Sequence, residues 1–102
     1  MDLNHLITFS KDELKRLQDH FQIPDDKRNY TILAKLMEEV GELAQALLDT
    51  DSLQRKDKVL KSKIEHEIAD AIIVLLILAA NRDIDIAKAL EETIEKAKRR
   101  SY

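Results

Sequence analysis

Ten consecutive apolar residues, 71–80, most constrain how this 102-residue chain can fold. As a helix they would span only ~15 Å, about half of a bilayer's hydrocarbon core, so they predict a buried helix and not a membrane span. Because every face of such a helix is apolar, it needs cover on more than one side. A chain of this length supplies that cover fully only with help from a second copy, so we expect a homodimer or homotetramer.

Composition predicts that the rest of the chain is helical too. One glycine and one proline leave few turns for a sheet, and 36% charged with 44% hydrophobic residues suits long helices. We therefore expect an all-α, four-helix bundle-like protomer forming a single domain over residues 1–102. A net charge of −3 offers no basic surface for nucleic acid. The lack of cysteine and of a signal-peptide pattern at the N-terminus favours a cytoplasmic protein.

Capping patterns set the expected limits of the first two helices. Ser10 and Glu13 match the S-x-x-E capping box, so we predict that a helix begins at Ser10. It should end near Gln22, because Pro24 follows. A second helix is expected over about residues 30–48.

Two further helices are expected in the second half. Residues 49–61 read as a polar connection with room for a helical turn around Leu53, and Ser62 and Glu65 can cap the third helix. Polar residues interrupt the pattern after residue 80, and Asp85 can cap a fourth helix. The apolar stripe of that helix comprises Ile86, Leu90, Ile94 and Ala97.

The second helix combines a regular apolar stripe with three carboxylates. On a helical wheel the stripe centres on Val40, and we expect it to face the core. Glu38, Glu39 and Glu42 stand at spacings at which like charges repel, and Gly41 lowers helix stability further. A divalent cation is the most economical compensation. The stripe comprises Leu33, Leu36, Met37, Val40, Leu43, Ala44, Leu47 and Leu48.

Two more carboxylates occur at the start of the third helix. Glu67 and Asp70 lie on a face that continues as Val74 and Ile77, so they mark either a solvated helix start or a site at the mouth of the bundle. Antiparallel packing of the two helices would gather these carboxylates with those of the second helix. Oxygen-only ligands select Mg²⁺ or Mn²⁺. The Glu-x-x-His pairs of a di-iron bundle are missing.

The spacing of these carboxylates resembles a known family signature. Glu38-Glu39-x-x-Glu42, 24 further residues and then Glu67-x-x-Asp70 look like the E-E-x-x-E…E-x-x-D motif of the MazG-like, all-α nucleoside triphosphate pyrophosphatases. The segments KLMEEVGELAQALL and EIADAIIVLLILAANRDIDIAKAL are similar to that family as well. The resemblance implies Mg²⁺-dependent hydrolysis of a nucleoside triphosphate to the monophosphate and pyrophosphate, with a role in nucleotide-pool housecleaning.

The same resemblance implies roles for individual residues. Four carboxylates would hold the metal, and Glu38 would orient the attacking water or a second metal. Asn81 falls where the family places a polar residue near the nucleotide. The four implied metal ligands are Glu39, Glu42, Glu67 and Asp70.

The last helix departs from the family pattern. Where relatives carry a Lys and an Asn that grip the phosphates, this chain has Thr93 and Ala97, and Lys96, Lys98 or Arg99 are the candidate substitutes. Two other functions therefore stay open at this point. One is the related phosphoribosyl-ATP pyrophosphohydrolase activity, and the other is a non-catalytic helical interaction module.

Overall fold

A computed structural model describes residues 1–51 and 64–100. These residues form four α-helices and no strand, which confirms the all-α prediction. The turn predicted around Leu53 and the cap predicted at Ser62 lie outside the described residues. The helices are α1 (Leu3–Phe21), α2 (Asp25–Asp51), α3 (Ile64–Asn81) and α4 (Ile86–Lys98).

The start of α1 differs from the prediction. Asp2, not Ser10, is the N-cap residue, and its side chain accepts a hydrogen bond from the backbone N–H of His5 at 2.9 Å. Ser10 lies buried inside the helix, where its hydroxyl donates to the carbonyl of Leu6 at 2.8 Å. That bond satisfies the hydroxyl within the helix, so a residue that resembles a cap is accommodated in the middle of an apolar face.

The end of α1 agrees with the prediction, but α2 is longer than expected. Gln22 ends α1 in the left-handed conformation (φ 51°), and its N–H bonds the carbonyl of Gln18. α2 begins directly after Pro24, where proline lacks the N–H that a first helical turn leaves unpaired. The negative charges of Asp25 and Asp26 in that first turn interact favourably with the helix dipole.

The core is formed where α1 and α2 both pack against α3. Ile32 of α2 and Val74 and Ile77 of α3 are buried together. At one end of the pair, the side-chain amide of Asn81 donates to Asn29 Oδ1 at 2.7 Å. This bond joins the last residue of α3 to the first turns of α2, so the two helices run antiparallel as predicted. Leu14 and Leu17 of α1 are partly buried and pack against this cluster.

The inward face of α2 is not the predicted one. Val40, the expected centre of the core-facing stripe, is 50% exposed, whereas Glu39 and Ala46 are buried. The face turned to α1 and α3 is therefore displaced by about one residue, or ~100°. A search for apolar residues misses this because the true inward face includes a carboxylate.

The turn between α3 and α4 matches the prediction. Asp83 adopts the left-handed conformation (φ 53°), and Asp85 caps α4 by accepting from the backbone N–H of Lys88 at 3.1 Å. α4 itself has no buried residue, so it does not complete a four-helix bundle within one chain. Apolar side chains of α2, α3 and α4 stay exposed, among them Met37, Val40, Ile68, Ile72, Leu75 and Ile94.

Within the described ranges, the chain has no helix with the length and hydropathy needed to cross a membrane.

Candidate metal centre and adjoining cavity

Three carboxylates from two helices converge beside the core. Glu39 is 6% exposed and Glu67 is 4% exposed, whereas Asp70 faces solvent. One carboxylate oxygen from each of the three lies within 4.8 Å of the other two. Antiparallel packing produces this arrangement, because Glu39 meets the first turns of α3, where Glu67 and Asp70 are one turn apart.

Each of the two buried carboxylates has one oxygen that no described residue satisfies. Glu39 Oε2 and Glu67 Oε2 are both inaccessible and lack a hydrogen-bond partner in the described residues. Leaving a buried charge unpaired is costly, and two on adjacent helices also repel. A cation between them would satisfy both. The donor set contains oxygen only, which fits Mg²⁺ or Mn²⁺ better than Zn²⁺.

Among the described residues, Lys35 forms the ion pair with this cluster. Its Nζ lies 3.2 Å from Glu39 Oε1 and 3.4 Å from Glu38 Oε1. The hydrogen bond to Glu39 is the main reason that the pKa of Lys35 is raised, and the charges of Glu38 and Glu39 add to it. Sequence reasoning missed this residue, although its spacing three and four positions before two glutamates is a signal for ion pairs on a helix.

Glu38 and Glu42, the other predicted site carboxylates, are exposed. Glu42 does not belong to the 4.8 Å cluster. Repulsion from Glu39 is the main cause that raises its pKa, followed by partial desolvation and by the charges of Glu67 and Glu38. Glu42 is therefore electrostatically coupled to the cluster without being packed into it.

A cavity of about 900 Å³ extends from the carboxylates between α1, α2 and α3. Glu38, Glu39 and Asp70 line one end together with Lys35, and we call this the acidic end. Along α2 the wall continues through Ile32 to Arg28, whose guanidinium bonds the Ile23 carbonyl and Asp25. The α1 side contributes two polar residues, Glu13 and Gln18, and four apolar ones. We call the four apolar residues the apolar wall: Phe9, Leu14, Leu17 and Phe21.

The residues predicted to bind substrate lie elsewhere. Asn81 is held by Asn29 at the far end of the α2–α3 pair. Lys96 and Arg99 are exposed on α4 and just beyond it. None of the three lines the cavity described here. Their role in substrate binding stays a prediction, and the apolar wall of α1 is a feature that the sequence motif did not point to.

Comparison with known proteins supplies the family. No curated protein and no solved structure matches the chain. A family model described as the MazG nucleotide pyrophosphohydrolase domain matches residues 27–102, which include all but the first two residues of α2, all of α3 and α4, and the three clustered carboxylates. The match confirms the resemblance seen in the E-E-x-x-E and E-x-x-D motifs. The chain belongs to the MazG nucleotide pyrophosphohydrolase family.

Proposed function

We propose that the protein hydrolyses a nucleoside triphosphate to the monophosphate and pyrophosphate, with Mg²⁺ held by Glu39, Glu67 and Asp70 and assisted by Glu42. The observation that carries this proposal is the pair of buried, unpartnered carboxylate oxygens of Glu39 and Glu67, of which Glu39 lines the acidic end of a cavity of about 900 Å³. Family membership supports nucleotide pyrophosphohydrolase chemistry at this place. Mg²⁺ bound there would polarise a phosphate oxygen and lower the pKa of a water.

The remaining residues of the cavity suit distinct tasks. Glu38 lines the acidic end and is exposed, so its carboxylate can accept a hydrogen bond from the attacking water and orient it. The apolar wall of α1 lines the same cavity and offers exposed rings at Phe9 and Phe21. We place the nucleoside against this wall, with its phosphates towards Lys35 and the carboxylates.

The direct test is a panel of nucleoside triphosphates with Mg²⁺, read by pyrophosphate release. Wild type should release pyrophosphate from at least one of them, and Glu39→Gln should not. Glu65→Gln is the matched control, because Glu65 is an exposed carboxylate at the start of α3 that does not line the cavity. Release of orthophosphate in place of pyrophosphate, or equal activity in Glu39→Gln, would contradict the proposal.

One observation favours a second candidate, the non-catalytic helical module. The cations of α4 do not line the cavity, so a phosphate grip from that helix is missing within one chain. Absence of turnover across the panel, with Mg²⁺ binding retained, would support that candidate. Adding phosphoribosyl-ATP to the panel also tests the related pyrophosphohydrolase activity, which predicts turnover of that substrate alone.

We further propose that the protein is a homodimer or homotetramer. Val40, Ile72 and Leu75 are each about half exposed, on helices that also contribute the core, and α4 exposes its own apolar stripe. Covering such surfaces is a strong drive to association. Light scattering at micromolar concentration should give at least twice 11.8 kDa. A monomer mass would refute this prediction.

A further inference from the structure

The cavity has its own cation at the acidic end. Of the described lysines and arginines, Lys35 and Arg28 line it. Arg28 binds the Ile23 carbonyl and Asp25 through one Nη and keeps a buried, unpaired Nε, but it lies seven residues, or ~10 Å of helix, from Lys35. Among the described residues, Lys35 is therefore the cation that can reach a group bound beside Glu39.

The contacts of Lys35 are those of an exchangeable counter-ion. Its side chain is 54% exposed, and its ammonium contacts Glu39 Oε1 at 3.2 Å and Glu38 Oε1 at 3.4 Å. Both contacts lie within one turn of α2, on a flexible four-carbon stem with three donors. A divalent ion bound by Glu39 would repel the Lys35 ammonium and neutralise the charge that attracts it.

We infer that Lys35 alternates between two partners, the carboxylates of the metal-free cluster and the phosphates of a bound substrate. Lys35 thereby supplies a phosphate contact from α2. Within one chain, no α4 residue lines the cavity to supply it. The ammonium competes with the metal in the free protein and attracts the triphosphate once the metal is bound. This inference rests on the proposed metal-dependent function.

The inference predicts opposite effects of one substitution on two affinities. In Lys35→Gln, Mn²⁺ alone should bind more tightly than in wild type, by about threefold to tenfold, because a competing cation is gone. Inorganic tripolyphosphate in saturating Ca²⁺ should bind about tenfold or more weakly, the loss expected for one charge-assisted hydrogen bond. Tripolyphosphate is chosen as probe because it contains no base or sugar.

Both affinities can be measured by titration calorimetry without turnover. Lys27→Gln is the matched control, since Lys27 is an exposed lysine of α2 that does not line the cavity, and it should change neither affinity. Lys35→Arg keeps the charge and should retain most of the tripolyphosphate affinity. It also serves as the informative variant if Lys35→Gln folds poorly, which a thermal melt would reveal.

The outcomes separate this inference from the proposed function. If wild type binds no Mn²⁺, the proposed metal centre fails and the inference fails with it. If wild type binds Mn²⁺ and tripolyphosphate but Lys35→Gln matches it in both, the inference alone is overturned. The same holds if both affinities fall together, because Lys35 would then only support the fold of the cluster.

Discussion

The two ends of the cavity differ in where they come from along the chain. The acidic end is formed by α2 and α3, inside the region 27–102 that the family model matches. The apolar wall is formed by α1, which ends at Phe21, before that region begins. The carboxylates thus lie inside the region that the family model matches, whereas the α1 surface facing them lies outside it.

The energetic character of the two ends differs in the same way. The acidic end and the neighbouring Glu67 sacrifice stability, since Glu39 and Glu67 are buried with unpaired oxygens and like charges lie one turn apart. The apolar wall contributes stability, since Leu14 and Leu17 pack on the core cluster. Sites where a fold accepts such a cost are candidates for function. We therefore expect chemistry to depend on the acidic end and substrate choice on the wall.

The largest effect should come from the acidic end. Glu67→Gln or Asp70→Asn removes a proposed metal ligand, and turnover should fall by about a thousandfold or more, partly restored by extra Mg²⁺. Glu38→Gln should lower kcat while nucleotide binding persists, because water orientation belongs to the transition state. Steady-state kinetics at two Mg²⁺ concentrations measures both.

The control for these variants is Glu65→Gln, which changes an exposed carboxylate in the first turn of α3, the turn that also contains Glu67. It should keep wild-type kinetics. Near-wild-type turnover in Glu67→Gln or Asp70→Asn would mean that the cluster does not hold the catalytic metal.

A smaller, selective effect should come from the apolar wall. Phe21 is 60% exposed and lines the cavity, so Phe21→Ala should cost little stability while removing a ring against which a base can stack. KM should rise by about tenfold with kcat nearly unchanged. Tyr30→Ala is the control, since Tyr30 is an exposed aromatic residue that does not line the cavity. An unchanged KM in Phe21→Ala would remove the nucleoside from this wall.

The sequence predicted the acidic end far better than the wall. The spacing within each motif depends only on helical geometry, and antiparallel pairing of α2 with α3 was enough to bring Glu39, Glu67 and Asp70 together. The wall depends on how α1 is placed in three dimensions. A false cap at Ser10 hid the first two turns of α1, and no local pattern reveals which helices enclose a cavity.

The prediction of which face of α2 points inward was also wrong, and the reason again lies in how the helices pack in three dimensions. The stripe centred on Val40 is the more hydrophobic one, yet the chain buries the face with Glu39. Hydrophobic periodicity identifies the face that avoids water in the whole assembly, so it does not tell a core within one chain from a surface between chains. The exposed stripe therefore adds to the reasons, given by residues 71–80 and by α4, for which we expect association.

The effect of Mg²⁺ on the free energy of unfolding also tests the proposed metal centre. We expect Mg²⁺ to bind the folded cluster and not the unfolded chain, so at ten times its Kd it should stabilise the protein by about 1.4 kcal/mol. The melting temperature should then rise by roughly 5–10 °C relative to protein in chelator at matched ionic strength. Glu39→Gln should abolish the rise and Glu65→Gln should keep it. An equal rise in wild type and Glu39→Gln would indicate a general salt effect.

The smallest effect concerns Glu42, which lies outside the 4.8 Å cluster. Its pKa is nevertheless raised, mainly by the charge of Glu39, then by desolvation and by the charges of Glu67 and Glu38. A raised pKa means that the folded protein binds more protons than the unfolded chain around it. The stability of the metal-free protein should therefore fall as pH rises from the ordinary carboxyl range through the raised pKa of Glu42. Glu42→Gln lacks this loss, so in chelator it should exceed wild type in urea midpoint at about pH 7 and lose that advantage near pH 4. Saturating Mg²⁺ should reverse the order at pH 7 if Glu42 assists the metal. If the order stays the same with Mg²⁺, Glu42 belongs to the electrostatic surroundings of the cluster and not to its ligands.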